Sequence, residues 1–436
     1  MATDQILTLA VLAAVVATLI WDKVRADVVA LSGAAVLLMT GVVSPVEIQG
    51  AFASPAILAL ASLFVIAYAL ELSGLLDRAI ALAVVMCKRM GAAGLWLLLA
   101  MIGSVSCFLN STPIVVLGAP VVRDVATALK LPPKRFLIPL SYFTVLTGCC
   151  TLIGTSTNLL VDDMARIAGQ PRFGIFEITP VGLPMAIAGG VYLFLFSGRL
   201  LGGKHEKEER EGETPPMNPA HIDSATVGDP ALFAEPRPLR PLKAIIALST
   251  FAGAVALATM GVAPIAATAF AGAVLLILLR VISADEAYSG LRPEILILIA
   301  GMVVIGIAME QSGLAGEASE LLITSVHGLS PLIALIVLYV MTMILTELLS
   351  NATVAVLVTP VAVALAESLA VSPRPFLVAV MMAASAAFAT PFGYQTNVIV
   401  YQMGKYRYMD FVRMGLPLNI ITCIVAIAAI QFFFPF

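Results

Sequence analysis

Polar residues interrupt two apolar stretches of the chain at matching places. The first stretch reads FLNSTPIVVLGAP over residues 108–120, and the second reads LLSNATVAVLVTP over residues 348–360. Amide, hydroxyl and backbone oxygens suit a hard cation such as Na⁺, and free N–H groups at a helix start attract an anion. Polar groups inside an apolar segment are costly in lipid, so both stretches predict a functional site.

A second pair of polar interruptions follows these two stretches. GCCTLIGTSTNLL covers residues 148–160, and ATPFGYQTNVIV covers residues 389–400, where Pro391 and Gly393 are predicted to stop a helix. An anion held at these interruptions must be met by helix N-termini, each worth about half a positive charge, and by a bound cation. This is because Lys and Arg are absent from 90–122, 136–165, 293–373 and 375–404.

The composition indicates which elements carry these interruptions. Hydrophobic residues make up 60% of the 436, charged residues only 12%, and the mean hydropathy is +1.03. Soluble domains have about 45–50% apolar residues, so this composition predicts an all-α polytopic membrane protein. The first apolar segment is expected to be a retained helix, because its positive charges follow it. Spanning segments are predicted at 5–21, 26–43, 55–72, 136–161, 178–198, 244–260, 264–282, 294–311, 376–400 and 411–435.

The two halves of the chain resemble each other at an offset near 239 residues. Ser44 and Glu47 match Ser283 and Glu286, and further pairs follow in the same order. An internal duplication of this kind predicts two inverted repeats, each with five transmembrane helices and one re-entrant hairpin, and with broken helices meeting at the membrane midplane. The further pairs are Asn110 with Asn351, Phe136 with Phe376, Gly154 with Gly393, and Asn158 with Asn397.

These repeats set the predicted domain boundaries. A connector rich in Pro and charge separates the halves and is expected to be a flexible linker. The segment 77–90 looks amphipathic and is expected along the inner membrane surface. The boundaries are 1–198 for the first repeat, with hairpin 93–128 and broken helix 136–161; 199–243 for the connector; and 244–436 for the second repeat, with hairpin 330–370 and broken helix 376–400.

The distribution of Lys and Arg predicts the orientation in the membrane. With the N-terminus outside, only Arg166, Arg172 and Arg374 of the 24 basic residues fall on the outer side. The positive-inside rule therefore favours a cell (inner) membrane protein with both termini outside and the connector in the cytoplasm. Full crossings by the hairpin arms would leave this bias unchanged, because each half would still have an odd number of spans.

The hairpin tips predict helix starts aimed at a ligand. Thr112 before Pro113 is expected to cap the first of them, with Pro in the first helical position. The second tip, at 350–353, offers the same chemistry. Unwound carbonyls with Ser, Thr and Asn oxygens suit a hard monovalent cation, which would also neutralise a neighbouring anion. Cotransport of a cation with an anion follows as a hypothesis.

Over nearly its whole length the sequence resembles the divalent anion:sodium symporter family of the ion transporter superfamily. The resemblance rests on the two hairpin tips and on TLIGTSTNL (151–159) and TPFGYQTNVIVY (390–401). The sequence is most similar to bacterial sulfate or dicarboxylate permeases, many of which carry TrkA-C regulatory domains in the central connector. This connector has no room for them. The first tip also departs from the family pattern, reading Asn-Ser-Thr for Ser-Asn-Thr.

The resemblance implies specific roles for the interrupting residues. It implies Na⁺ as the coupling ion with no other cofactor, a homodimer, and an elevator motion against a scaffold. No nucleic-acid partner is expected. The Na⁺ sites would use Asn110, Ser111, Gly154 and Asn158 in the first half and Asn351, Gly393 and Asn397 in the second. The anion would contact Ser111, Thr112, Thr155, Thr157, Ser350, Thr353, Gln395 and Thr396, with neighbouring amides.

Other functions stay open at this point. An Na⁺/H⁺ antiporter or an arsenite or anion exporter of the same superfamily is one, although GTSTN in the first break contains no acid. Proton-coupled transport through Glu347 is another, although this residue is expected to face the aqueous cavity. A passive channel is a third. A membrane enzyme is a fourth, but the sequence has no His or paired Asp at the predicted midplane to carry out chemistry. Cys149 and Cys150 are expected to be packing residues.

Overall fold

The helices account for most of the described chain. The computed structural model describes residues 3–21, 24–75, 78, 85, 90–201, 238–314, 330–391 and 393–436. Within these residues there is no β-strand, and six helical segments are long and apolar enough to span a bilayer. The prediction of an all-α polytopic membrane protein is confirmed. The amphipathic segment predicted at 77–90 and most of the connector 199–243 lie outside the described residues.

The same order of long and short helices occurs in both halves. In the first half the helices are α1 (Thr3–Trp21), α2 (Ala26–Met39), α3 (Pro45–Phe52), α4 (Pro55–Leu72), α5 (Ala92–Ser106), α6 (Ser111–Ala128), α7 (Lys134–Gly148), α8 (Ser156–Ile167) and α9 (Thr179–Leu201). In the second half they are α10 (Pro241–Thr259), α11 (Ile265–Leu278), α12 (Ala284–Gly290), α13 (Pro293–Gln311), α14 (Pro331–Leu348), α15 (Asn351–Ser368), α16 (Arg374–Ala384), α17 (Gln395–Met403) and α18 (Tyr408–Phe433).

Matching positions begin and end matching helices. Ser44 and Ser283 each form a capping box with a Glu three residues later, and these boxes start the short helices α3 and α12. The second arm of each hairpin ends with a residue in the left-handed region, Lys130 at φ 57° and Ala370 at φ 53°. A residue in this conformation ends a helix, and backbone N–H groups there donate to the last carbonyl oxygens of that helix. The duplication is therefore visible in local structure as well as in sequence.

The packing of the helices is also reciprocal. Helix α2 packs on α13, and the matching pair α11 and α4 pack in the same way. Helix α8 packs on α15, and α17 packs on α6. Each hairpin thus lies against the short helix that follows the break in the other half. The inversion of one half relative to the other across the membrane stays a prediction.

Both predicted broken helices are interrupted. The first ends at Gly148 and resumes at Ser156, whereas the second ends at Ala384 and resumes at Gln395. The second therefore ends well before Pro391, the residue expected to stop it. Side chains donate to backbone carbonyl oxygens that would accept from backbone N–H groups if the helix continued. The Tyr142 hydroxyl donates to Phe388 O, and Asn397 Nδ2 donates to Ala387 O at 2.8 Å.

The cap of the first hairpin tip differs from its prediction. Helix α6 begins at Ser111 with Asn110, not Thr112, at the N-cap, and Asn110 Oδ1 accepts from the backbone N–H of Thr112 at 3.0 Å. An Asn oxygen reaches the first free N–H groups, and Pro113 is tolerated in the first turn because that turn needs no intrahelical donors. The second tip is also capped from the residue before the helix, but Ser350 Oγ accepts from the N–H three residues on, that of Thr353, at 3.2 Å. In position, Asn110 therefore matches Ser350, and Ser111 matches Asn351.

Candidate ion and anion site

The first break folds around a group of backbone oxygens beside Gly154. A β-carbon at this position would touch Gly148 O and would lie 2.6 Å from Cys107 O and 3.0 Å from Ser106 O. Only glycine fits at this position without displacing backbone atoms. We call the three carbonyl oxygens that pack around Gly154 the cradle, and carbonyl oxygens are among the ligands that hard cations prefer.

The Asn158 side chain adds a further oxygen to the first break. Its Nδ2 donates to Thr151 O at 3.1 Å, which fixes the direction of the amide. Asn158 is fully buried, and among the described residues its Oδ1 has no hydrogen-bond partner. A buried acceptor without a partner costs about 1–3 kcal/mol unless a donor or a cation meets it.

Hydroxyl groups hold the first hairpin tip against the first break. Ser111 Oγ lies 2.9 Å from Ser106 Oγ and 3.2 Å from Thr144 O. Thr151 Oγ1 donates to Cys107 O and accepts from Gly154 N at 3.1 Å. The tip and the break therefore form one unit around the oxygen cradle.

The second break repeats much of this arrangement. Thr390 Oγ1 donates to Glu347 O at 3.3 Å and accepts from Gly393 N at 3.0 Å. Asn397 Nδ2 donates to Thr390 O at 3.2 Å, as Asn158 does to Thr151. At the tip, Thr346 Oγ1 lies 2.8 Å from Asn351 Oδ1. Gly154 with Gly393 and Asn158 with Asn397 thus occupy equivalent places in the two halves, whereas Asn351 takes the place of Ser111.

The matched amide oxygen of the second break, unlike that of the first, has a protein partner, although Ser385 Oγ in this break is buried and has no partner among the described residues. Asn397 Oδ1 lies 2.8 Å from the hydroxyl of Ser141, which donates to it. A β-carbon at Gly393 would lie 2.9 Å from Ala387 Cβ and 3.3 Å from one backbone oxygen, that of Thr346. In the described residues the second break therefore has neither the cradle of carbonyls nor the unpartnered amide oxygen of the first.

Glu347 is a structural part of the second break. Its half-buried carboxylate accepts from Ala389 N at 2.8 Å, from Thr390 N at 2.9 Å and from Asn419 Nδ2 at 2.8 Å. The sequence predicted a glutamate facing an aqueous cavity. Instead, the carboxylate joins α14, the break and α18, and Cys107 occupies the matching position in the first half.

The first hairpin tip and both breaks meet around Tyr394. The hydroxyl of this residue lies near the side chains of Ser111, Thr112 and Thr155. Thr112 Oγ1 also lies 3.3 Å from Gln395 Oε1. The structure thus places Tyr394 among the predicted hydroxyl residues.

The predicted anion contacts divide by exposure. Gln395 and Ser350 are exposed, and Ser350 Oγ is 2.7 Å from Thr353 Oγ1. The side chains of Thr157, Thr353 and Thr396 are at most 1% exposed, and Ser141 contacts Thr396 Oγ1 at 2.8 Å. These three threonines pack inside the protein in this conformation.

Several residues of the site were missed in the sequence. Ser106 and Thr346 contact the tips from five residues upstream, and Thr151 and Thr390 hold the two glycines. The repeated pattern Thr-x-x-Gly, at 151–154 and 390–393, was a signal that could have found the last two. Ser141 had no such signal, because its partner in the other half is Met381.

An arginine of the second half braces the loop behind the first break. Arg374 donates to Glu177 Oε1 at 2.9 and 2.5 Å and lies 3.9 Å from the centre of the Phe173 ring. Ile175 in the same loop accepts from Leu152 N at 2.9 Å. The first break is therefore fixed from both halves of the chain.

The described part of the chain has no cluster of three or more His, Cys, Asp and Glu side chains that would hold a metal ion. The site consists of carbonyl, amide and hydroxyl oxygens together with the N-termini of α6, α8, α15 and α17. Such groups bind by charge and geometry and supply no nucleophile or general base. The arrangement suits reversible binding of small ions.

Comparisons with known proteins agree with this description. Over 95% of each chain, the protein is 24% identical to an uncharacterized transporter of Synechocystis sp.. Shorter regions match sodium/sulfate cotransporter 1 of Chlamydomonas reinhardtii (42% identity; 24% of this chain, 13% of that one) and the sodium-dependent dicarboxylate transporter of Staphylococcus saprophyticus (30% identity; 32% and 27%).

A solved structure shares the fold. The YdaH transporter of Alcanivorax borkumensis aligns with a TM-score of 0.58 and 13% identity, covering 88% of this chain and 86% of that one. All these proteins are transporters, which confirms that the chain is not an enzyme. The citrate transporter family model matches residues 16–370 and 348–436. The chain is therefore a multi-pass membrane transporter that belongs to the citrate transporter family (CitMHS), and its resemblance to the divalent anion:sodium symporters is confirmed.

Proposed function

We propose that this protein is a secondary active transporter that moves a small divalent anion inward together with Na⁺. Sulfate and di- or tricarboxylates are the substrate class. The proposal agrees with the sodium/sulfate and sodium-dependent dicarboxylate transporters among its relatives.

The oxygen group of the first break carries this proposal. It comprises the backbone oxygens around Gly154, the Asn158 Oδ1 atom and the nearby Ser111 hydroxyl. A monovalent hard cation at this point would satisfy the buried Asn158 oxygen and add a full positive charge to the site. In the second half, Asn351, Gly393 and Asn397 would form the weaker cation site.

The anion would bind beside this cation, between the helix N-termini. Thr112, Thr155, Tyr394 and Gln395 are drawn together there. Ser156 starts α8 and is half-buried, so its N–H and hydroxyl are further donors. Lys and Arg are absent from the segments that form the interruptions, and Arg292, which interacts electrostatically with Tyr394, lies beside the acidic Glu294 and Glu71. Anion affinity would therefore depend on Na⁺ occupancy. This dependence is the electrostatic basis of coupling.

The larger assembly follows from the family resemblance. We expect a homodimer in the cell (inner) membrane in which the hairpins and breaks move together as an elevator against the remaining helices. Both termini would be outside and the connector 199–243 cytoplasmic. The contacts between hairpin tips and breaks support this motion, because they join the elements that must travel as one body.

Uptake into proteoliposomes tests the function. Radiolabelled sulfate, succinate and citrate are offered in turn with an inward Na⁺ gradient, an inward proton gradient or no gradient. The proposal predicts accumulation of one of these anions above its outside concentration only with the Na⁺ gradient. Accumulation with the proton gradient alone would identify a proton-coupled transporter. Equilibration without a gradient would identify a channel, and Na⁺-driven proton exchange without anion uptake would identify an antiporter.

A further inference from the structure

Two cysteine side chains meet beside the first break. Cys107 follows α5, and Cys150 lies in the turn after α7, so the two come from separate elements. Both side chains line the same cavity and are close enough to influence each other electrostatically. Both are free, and Cys107 is half-buried whereas Cys150 is buried. The pair occurs in the first half alone, because Glu347 and Ala389 occupy the matching positions in the second.

The two thiols line one apolar cavity. This cavity has a volume of about 450 Å³ and lies between α5, α7 and α9. Trp96, Phe143 and Phe194 contribute aromatic walls, and Phe194 is 53% exposed, so the cavity reaches the outer surface of the helices. None of the described residues that line it is charged. An apolar, preferably aromatic, molecule fits such a space.

The thiols are also joined to the cation cradle. Cys107 O is one of the oxygens around Gly154 and accepts from Thr151 Oγ1. Cys150 directly precedes Thr151, and its own carbonyl accepts from Thr179 Oγ1 at 2.6 Å. A covalent bridge between the sulfur atoms would therefore link the first hairpin arm to the first break and hold the cradle in one geometry.

We propose that Cys107 and Cys150 form a two-thiol site for a small apolar thiophilic electrophile, such as an aryl arsenical, that bonds both sulfur atoms at once. With an aryl arsenic(III) oxide, two As–S bonds form and two S–H bonds break. The oxide oxygen leaves as water with both thiol hydrogens, and no oxidant or reductant is needed. The product is neutral, which suits a cavity without charged side chains.

The consequence for transport rests on the proposed function, whereas the binding itself does not. A bridged pair ties α5 to the break through covalent bonds across the cradle. Entry and exit of Na⁺ at the cradle require its oxygens, including Cys107 O, to adjust, and the bridge would hold them in one geometry. Occupancy of the two-thiol site is therefore expected to stop Na⁺-dependent uptake, and removal of the bridge by a small dithiol is expected to restore it.

Intact-mass spectrometry of the purified full-length protein tests the binding. Phenylarsine oxide is added, excess monothiol then removes singly bonded adducts, and the mass is measured. We expect one retained adduct for the wild type and for the controls Cys423→Ser and Cys149→Ser, and none for Cys107→Ser or Cys150→Ser. Retention by either of the last two variants, loss in Cys149→Ser, or no retention by the wild type would overturn the site. Each serine variant is compared with the wild type by size-exclusion chromatography, so that a folding failure is recognised.

Uptake measurements on the same samples test the consequence. The reagent is expected to abolish Na⁺-dependent uptake by the wild type and by Cys423→Ser, but not by Cys150→Ser, and a dithiol is expected to reverse the loss. Full uptake by a wild-type sample that carries the adduct would overturn the claim of inhibition. Absence of Na⁺-dependent uptake in untreated protein would count against the proposed function, while the mass result would still decide the site.

Discussion

The two breaks have the same residue types at matching positions, but the hydrogen bonds of these residues differ. Both have a Thr that holds a Gly and an Asn that donates to that Thr, at matching positions. In the first break, carbonyl oxygens surround Gly154, and Asn158 Oδ1 is unpartnered among the described residues. In the second, Ser141 donates to the matching oxygen of Asn397.

The two halves therefore share one arrangement of residues, and differences at single positions distinguish their two sites. Ser141 lies where the second half has Met381, so a hydroxyl reaches Asn397 and none is offered at the matching position for Asn158. Glu347 lies where the first half has Cys107 and occupies two N–H groups of the second break. We infer that the first break is built mainly to bind a cation, whereas the second is built more rigidly by its own contacts.

The glycine variants are expected to give the largest difference. Gly154→Ala should abolish Na⁺-dependent uptake, because the new methyl group fills the cradle against three backbone oxygens. Gly393→Ala should leave measurable uptake, since its methyl group meets the Ala387 and Thr390 side chains and only one backbone oxygen, at a cost of about 1–3 kcal/mol of stability. Uptake at saturating anion and a range of Na⁺ concentrations measures both. Equal loss in the two variants would remove the distinction between the breaks.

The asparagine variants should separate ion binding from stability. Asn158→Ala removes a free ligand oxygen, so the Na⁺ concentration for half-maximal uptake should rise roughly tenfold, equivalent to about 1.4 kcal/mol. Asn397→Ala leaves Ala387 O, Thr390 O and the Ser141 hydroxyl without this partner. Each lost partner costs about 1–3 kcal/mol, so this variant should show the larger fall in melting temperature in detergent. The reverse order of melting temperatures would contradict the comparison.

Glu347→Gln tests whether the carboxylate is a brace or a proton carrier. A Gln amide group points N–H atoms at one of the donors, so we expect a loss of about 1–3 kcal/mol of stability and slower uptake. If the Glu347 carboxylate is only a brace, uptake by the variant should keep the same shape of pH profile as uptake by the wild type. Loss of a pH-dependent limb in the variant would instead support proton coupling. Glu310→Gln, at the end of α13, is a matched acidic control.

The smallest expected effect comes from exchanging the residues that distinguish the breaks. Met381→Ser offers a hydroxyl at the position that matches Ser141, and we expect it to donate to Asn158 Oδ1 and weaken Na⁺ binding roughly threefold, about 0.6 kcal/mol. Ser141→Ala frees Asn397 Oδ1 and should strengthen cation binding in the second break by a similar factor. Na⁺ activation curves measure both changes. A shift of the same sign in the two variants would show that this hydroxyl is not what separates the sites.

Much of this arrangement could be predicted from the sequence because it depends on local patterns. Apolar length fixed the predicted spans, and α4 (Pro55–Leu72) matches its prediction at both ends. The polar interruptions and the pairs Gly154 with Gly393 and Asn158 with Asn397 also lie where the repeats placed them, whereas Asn110 pairs with Ser350 and not, as predicted, with Asn351. The short helices α3 and α12 follow from their Ser-x-x-Glu boxes, a signal that was seen only as part of the repeat.

What could not be predicted depends on contacts between distant residues. The contact of Ser141 with Asn397 joins residues 256 positions apart, and Thr112 with Gln395 joins residues 283 apart. The cap at Asn110 was missed because Thr112 before Pro113 satisfies the same local rule. Burial of Thr157, Thr353 and Thr396 follows from the packing of each short helix and hairpin on the other half, which no single-segment pattern contains.

Cryo-electron microscopy of the protein in Na⁺ and in choline tests the central claim most directly. The account predicts a density peak, present only with Na⁺, between the backbone oxygens of Ser106, Cys107 and Gly148 and the Oδ1 atom of Asn158, at roughly the 2.3–2.6 Å typical of hard cations with oxygen ligands. Identical maps in the two salts, with the Asn158 oxygen bonded to a protein donor, would contradict it.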